Sequence, residues 1–251
     1  LLALSGALLI TATVFLVPTL WGRPWSIDHF YLRVFATFAL RHPMFMTTIG
    51  VSLPGVDSRL DNFSVAFQRR ERAWSGEQLE VLRAYDVSRM STEQKLSRDV
   101  LGYFLEDQAE SEPFQFHDYP VNQLAGLQSQ LPDFMLTLHP MRREKDARHY
   151  VARVRRMGVA LDQVTAGVRL RATMGVVPPR FVLERVLVEM NAFVTPPARE
   201  NPLYVRLDRA VDTLKGGESR PDRLREKLAR AIDDEVYPAY RRLIGLCDSL
   251  R

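Results

Sequence analysis

Residues 144–174 read EKDARHYVARVRRMGVALDQVTAGVRLRATM, a long helical stretch with Gly175 placed as its C-terminal stop. This stretch sets the fold class, because nothing elsewhere in the chain competes with it. No segment shows a sustained period of two with β-branched residues, so no sheet is expected. The expectation is an all-α protein.

Working outward toward the C-terminus, Pro178-Pro179 pre-set the first turn of a further helix that ends near Val194. Asn201-Pro202 starts a short helix closed by Gly216-Gly217. A last helix carries Leu224, Leu228, Ile232 and Val236, with a kink expected at Pro238. Toward the N-terminus the segment from about Ser111 to Pro140 reads as irregular and proline-punctuated. Before it, Ser91-Thr92-Glu93-Gln94 matches a capping box and opens a helix carrying Leu96, Val100, Tyr103 and Phe104. Ser64 opens another, with Phe67, Trp74, Val81, Leu82 and Tyr85 on one side, and residues 50–63 form a loop. Ser26 is a good N-cap for a helix with Ile27, Phe30, Tyr31, Val34, Phe35, Phe38 and Ala39 at helical spacing. His42-Pro43 stops it, since the residue before a proline is pushed out of the helical region.

The first 22 residues, LLALSGALLITATVFLVPTLWG, carry no charge, and the first charged residue is Arg23. Twenty-two helical residues reach roughly 33 Å, enough to cross a hydrocarbon core of about 30 Å. Trp21 and Trp25 bracket the end of the run, where amphipathic rings favour the interface. The rival reading is a cleaved signal peptide, whose apolar region is shorter and ends in small residues. Here the end is the bulky Val17-Pro18-Thr19-Leu20-Trp21. The expected organisation is a single-pass transmembrane helix over 1–22, in the lipid bilayer of a bacterial membrane, followed by a multi-helix soluble domain over 23–251 on the periplasmic side.

Composition excludes several classes. The net charge of +4 and sequence pI near 9.4 lean basic. No dense basic patch interleaved with aromatics accompanies them, so nucleic acid is not expected as a partner. One cysteine, Cys247, rules out an intrachain disulfide, a cysteine zinc site or an iron–sulfur cluster within a single chain. The five histidines, at 29, 42, 117, 139 and 149, include no pair three to five residues apart, so H-E-x-x-H is absent. There is no G-x-S-x-G elbow, phosphate loop or dinucleotide fingerprint. No metal ligands, cofactors or catalytic residues are assigned. Charge is uneven: the stretch from Asp57 to Glu112 is net acidic and that from Met141 to Arg185 net basic. Arg142, Arg143, Arg148, Arg155 and Arg156 are either a solvated helix face or a surface for anionic lipid or an acidic partner.

The most unusual stretch is FHDYPVNQLAGLQSQLPDF, residues 116–134. Its amides sit among apolar residues and need hydrogen-bond partners if buried. They either satisfy the backbone of neighbouring helix ends, or Tyr119, Asn122 and Gln123 line a cleft that holds a peptide-like substrate. With VPPRFVLERV at 177–186, NPLYVRL at 201–207 and EVYPAYRRL at 235–243, this stretch resembles the bacterial family called domain of unknown function 885. The resemblance runs from about Ser26 to Arg251. It implies the N-terminal half of a helical, zinc metallopeptidase-like fold, and it carries Tyr119, Asn122 and Gln123 over as substrate-binding candidates. The family's H-E-x-x-H lies in a C-terminal half that these 251 residues do not contain.

Two functions are therefore expected as alternatives. One is a membrane-anchored interaction or structural subunit, without chemistry of its own, that docks on a membrane protein. The other is the N-terminal part of a longer membrane-attached zinc hydrolase.

Overall fold

The computed structural model describes residues 17–19, 22–214 and 221–251. Every regular element among them is helical, and no described helix is long and apolar enough to cross a membrane. The expected anchor over 1–22 lies outside the described residues except at 17–19 and 22.

The described chain forms two compact units. One consists of the residues up to Leu40 with Gln68–Gln115, the other of Arg41–Phe67 with Phe116–Arg251. The first unit is built from α1 (Ile27–Arg41), most of α3 (Val65–Arg83) and α4 (Thr92–Glu110). The Ser26 hydroxyl accepts from the Asp28 N–H at 3.2 Å and so opens α1, which ends immediately before His42-Pro43. Ser91 and Gln94 form the reciprocal capping box at the head of α4. The core of this unit is small: Ile27, Phe30 and Val34 of α1 meet Leu79 and Leu82 of α3 and Leu105 of α4. Tyr85 donates to the Pro24 carbonyl at 2.7 Å and Tyr31 to the Gln94 carbonyl at 2.8 Å, which ties the end of α3 to the residues before α1 and α1 to the first turn of α4.

The second unit centres on α6 (Glu144–Thr173). Around it lie α2 (Pro43–Thr48), α5 (Leu127–Asp133), α7 (Arg180–Val194), α8 (Pro202–Val211), α9 (Pro221–Ala231) and α10 (Tyr237–Ser249). Buried α6 residues recur at Tyr150, Val154, Met157, Leu161, Val164 and Val168, the three-and-four spacing of one face. Gly175, at φ +78°, closes the helix where the left-handed backbone favours glycine. Asn201 caps α8 by accepting from the Leu203 N–H at 3.0 Å, and Pro202 follows at the first helical position.

Two prolines reshape this unit. Pro132 lies inside α5 and lacks the N–H that would bond the Gln128 carbonyl. That orphaned oxygen accepts instead from the Tyr240 hydroxyl of α10. A wider π-turn, Phe134–Leu138, follows, so the segment read as irregular contains a helix and a π-turn. Pro238 acts similarly: its ring crowds the carbonyl one turn back, and the chain widens into a π-turn over Ile232–Val236 just ahead of it. The irregularity expected at Pro238 is thus displaced toward the N-terminus. The backbone of this turn approaches α6 so closely that a Cβ on Gly158 would stand 2.8 Å from the Glu235 carbonyl oxygen.

Candidate functional site

The segment 116–134 is pinned at both ends. Arg171, buried at the end of α6, donates from Nε to Asp118 at 2.8 Å and sits over the Phe116 ring at 5.2 Å. Asp118 thus holds Arg171 at the start of the segment. Asn122 folds the next turn onto itself: its Nδ2 donates to the Tyr119 carbonyl at 2.9 Å, while its Oδ1 accepts from the N–H groups of Leu124 and Ala125. Gln128, almost fully buried, donates to the Asn122 carbonyl at 2.7 Å and to Glu189 at 3.3 Å. Its Oε1 has no partner among the described residues. Gly126 is forced by this crowding, since a Cβ there would stand 2.0 Å from Gln128 Oε1 and 2.5 Å from the Asn122 nitrogen.

The structure thus brings Tyr119 and Asn122 into one hydrogen-bonded turn, with the half-buried Gln123 beside it and the Tyr119 ring exposed. Beyond the turn, a cleft of about 330 Å³ is lined by Gln128, Pro132, Leu136, Glu189, Phe193 and Tyr240, and by none of the three candidates. The other quoted motifs behave in the same way. Asn201 donates to the Phe193 carbonyl at 3.1 Å and to the Tyr237 hydroxyl at 3.2 Å, and Tyr237 in turn donates to the Pro196 carbonyl at 2.7 Å. Tyr150 of α6 donates to the Leu203 carbonyl at 3.0 Å. Asn201, Tyr237 and Tyr150 are thus joints between elements of the second unit.

The five arginines read as one basic surface divide among different places. Arg142 and Arg143 line a cleft of about 420 Å³ with His149, Asp57 and Arg206, and buried Arg153 and His139 form its floor. Arg148 and Arg155 line a different cleft, of about 750 Å³, between α6 and α9. Arg156 lines neither and bonds the Ala152 carbonyl of its own helix at 3.1 Å.

The floor of the 420 Å³ cleft holds two buried basic groups whose charged forms are disfavoured by burial. The Arg153 guanidinium is fully buried and donates to the Arg59 carbonyl at 2.8 Å, Thr47 Oγ1 at 2.7 Å and His139 Nδ1 at 2.9 Å, over the Phe134 ring. Burial lowers its pKa to about 10. His139 accepts that bond as a neutral imidazole and donates from Nε2 to the Asp146 carbonyl at 3.0 Å. Burial, with Arg153 and Arg206 adding to it, lowers its pKa to about 4. A neutral histidine that accepts from one partner and donates to another is a structural fixture here, joining the end of the π-turn to α6, while Arg153 adds α2 through Thr47. Nothing in the sequence spacing marks His139 and Arg153 as partners. Among the described residues no group of three or more His, Cys, Asp or Glu side chains could hold a metal ion.

Comparison with known proteins adds two findings. The family model described as "Bacterial protein of unknown function (DUF885)" matches residues 43–250. A crystal structure described as a "putative lipoprotein" from Colwellia psychrerythraea superposes with a TM-score of 0.80 at 16% sequence identity. The match covers 88% of this chain and 40% of that one, so this chain spans well under half the length of its structural relative. A search of curated proteins gave no match.

Proposed function

The chain belongs to the DUF885 family of bacterial proteins of unknown function, and from that premise we propose that it is a membrane-attached helical docking domain without catalytic chemistry of its own. The observation that carries this reading is the outer face of α4. Leu96, Val100 and Tyr103 are 66%, 64% and 76% exposed, with Phe104 half exposed beside them, although they form one stripe at helical spacing. The opposite face of the same helix holds Leu101, Leu105 and Ala109 against the core. A helix apolar on two faces with only one covered offers the other to a partner. In this reading the partner is a membrane protein, and exposed Phe114, just past the helix, extends the contact.

Membrane attachment rests on the charge-free run 1–22 and on the lipoprotein description of the structural relative. Cys247 is fully buried in α10, so within this sequence the apolar run is the element suited to a bilayer. Tethering beside the membrane raises the effective concentration of any neighbour there. The test is extraction in mild detergent, with native size and subunit composition read for wild type and for Leu96→Glu/Tyr103→Glu. The reading requires a stoichiometric partner that the variant loses at an unchanged melting temperature. A wild-type monomer overturns it.

The length of the structural relative favours a second reading, in which this region is one part of a longer zinc-dependent hydrolase. Tyr119 and Gln123 would then face substrate from a turn that Asn122 holds in shape. A reading frame that continues past Arg251 into H-E-x-x-H, with zinc-dependent peptidase activity in the full product, would establish it. An inactive, zinc-free full product would exclude it.

A further inference from the structure

The 750 Å³ cleft between α6 and α9 lies in the size range of small-molecule sites, about 300–1,000 Å³. At its edge stands Glu144, the first residue of α6, only 5% exposed. Its Oε1 accepts from Arg148 one turn on. Its Oε2 is buried and has no hydrogen-bond partner among the described residues. A buried carboxylate oxygen without a donor is costly, and most such groups in folded proteins are satisfied. The residue that carries it is part of the cavity lining.

The cations of the same cleft separate into used and unused. Arg155 is held at 3.9 Å from Glu235, and Arg230 donates to Glu226 at 3.0 Å. Arg223 and Lys227 also line the cavity, one turn apart on α9, and neither has an ion-pair partner among the described residues. The cleft therefore offers two unmatched functions: a buried oxygen that needs a donor, best a charged one, and a pair of cations that needs an anion.

We propose that this cleft is a binding site for a small zwitterion, an amino acid or short peptide. Its ammonium group donates to Glu144 Oε2 and its carboxylate sits on Arg223 and Lys227. The volume leaves room for a side chain between the two ends. This site is separate from the α4 face and does not depend on the docking reading.

Calorimetric titration of the whole chain with the dipeptide Gly-Leu, its N-acetyl form and its C-terminal amide tests the assignment. The free dipeptide binds about tenfold or more tightly than either blocked form, a difference of about 1.4 kcal/mol or more. Glu144→Ala abolishes the discrimination against the N-acetyl form and leaves that against the amide. Arg223→Ala/Lys227→Ala does the reverse. Because Arg223 and Lys227 are exposed, that double variant keeps its fold and decides the question even if Glu144→Ala does not fold. Equal affinity for all three peptides, no binding of the free dipeptide, or unchanged discrimination in the double variant overturns the proposal.

Discussion

Helices α4 and α6 carry apolar residues at the same spacing and meet opposite fates. In α6, Tyr150, Val154, Met157, Leu161, Val164 and Val168 all face the core. In α4 only Leu105 is fully buried, while Leu96, Val100 and Tyr103 point to solvent. Periodicity tells which residues share a side; it does not tell whether the chain supplies anything to cover that side. The second unit surrounds α6 with helices, whereas the first offers α4 just one packed face. The contrast separates a core that specifies the fold from a surface the fold leaves available.

The largest effect that would sharpen this contrast is expected at Arg153. Replacing it with Ala leaves the His139 nitrogen and the Arg59 carbonyl without their donor. The loss should be about 3–5 kcal/mol, read by urea unfolding. A loss below about 1 kcal/mol would mean that the buried guanidinium is not what joins these elements. Leu105→Ala should cost about 2–5 kcal/mol, as a fully buried leucine does. Leu96→Ala on the same helix should stay within about 0.5 kcal/mol. Equal losses at the two positions would break the comparison outright.

A third effect depends on pH. His139 has its folded pKa lowered from 6.5 to about 4, so the folded state prefers the neutral ring. Between those values the unfolded chain binds the proton first, and stability must fall as pH drops from about 6.5 toward 4. The total is on the order of 3 kcal/mol, from 1.36 kcal/mol per pKa unit. Urea midpoints at pH 7 and pH 4.5 for wild type and His139→Gln isolate this contribution, and an identical pH dependence in both would contradict it. Smaller again is Gly158→Ala, at about 1–3 kcal/mol, because the added methyl meets the Glu235 carbonyl at 2.8 Å.

Much of the architecture was legible because it is written in local chemistry. Ser26 and His42-Pro43 bound α1, Ser91 and Gln94 open α4, Asn201-Pro202 opens α8, and Gly175 ends α6, each as its residue type requires. The π-turns were not legible. A proline announces a missing N–H, but whether the chain kinks, breaks or widens depends on which carbonyl finds another donor, as Gln128 finds Tyr240. The same limit applies to the site. Tyr119, Asn122 and Gln123 were singled out as substrate-binding candidates, and in the fold Asn122 spends its side chain on its own turn. The arginines from 142 to 156 looked like one surface because they are close in sequence. Helical rotation and the approach of α9 divide them between two clefts. Glu144 and Lys227 both line one of these, and no spacing could have foretold it.

Whether the outer face of α4 is a docking surface is decided by a photo-crosslinking residue at Tyr103 in native membranes. The account predicts one stoichiometric adduct with a membrane protein, absent when the crosslinker stands at exposed Val188 of α7 and lost when Leu96 is changed to Glu. No adduct at Tyr103, or the same scatter of adducts from both positions, would contradict it.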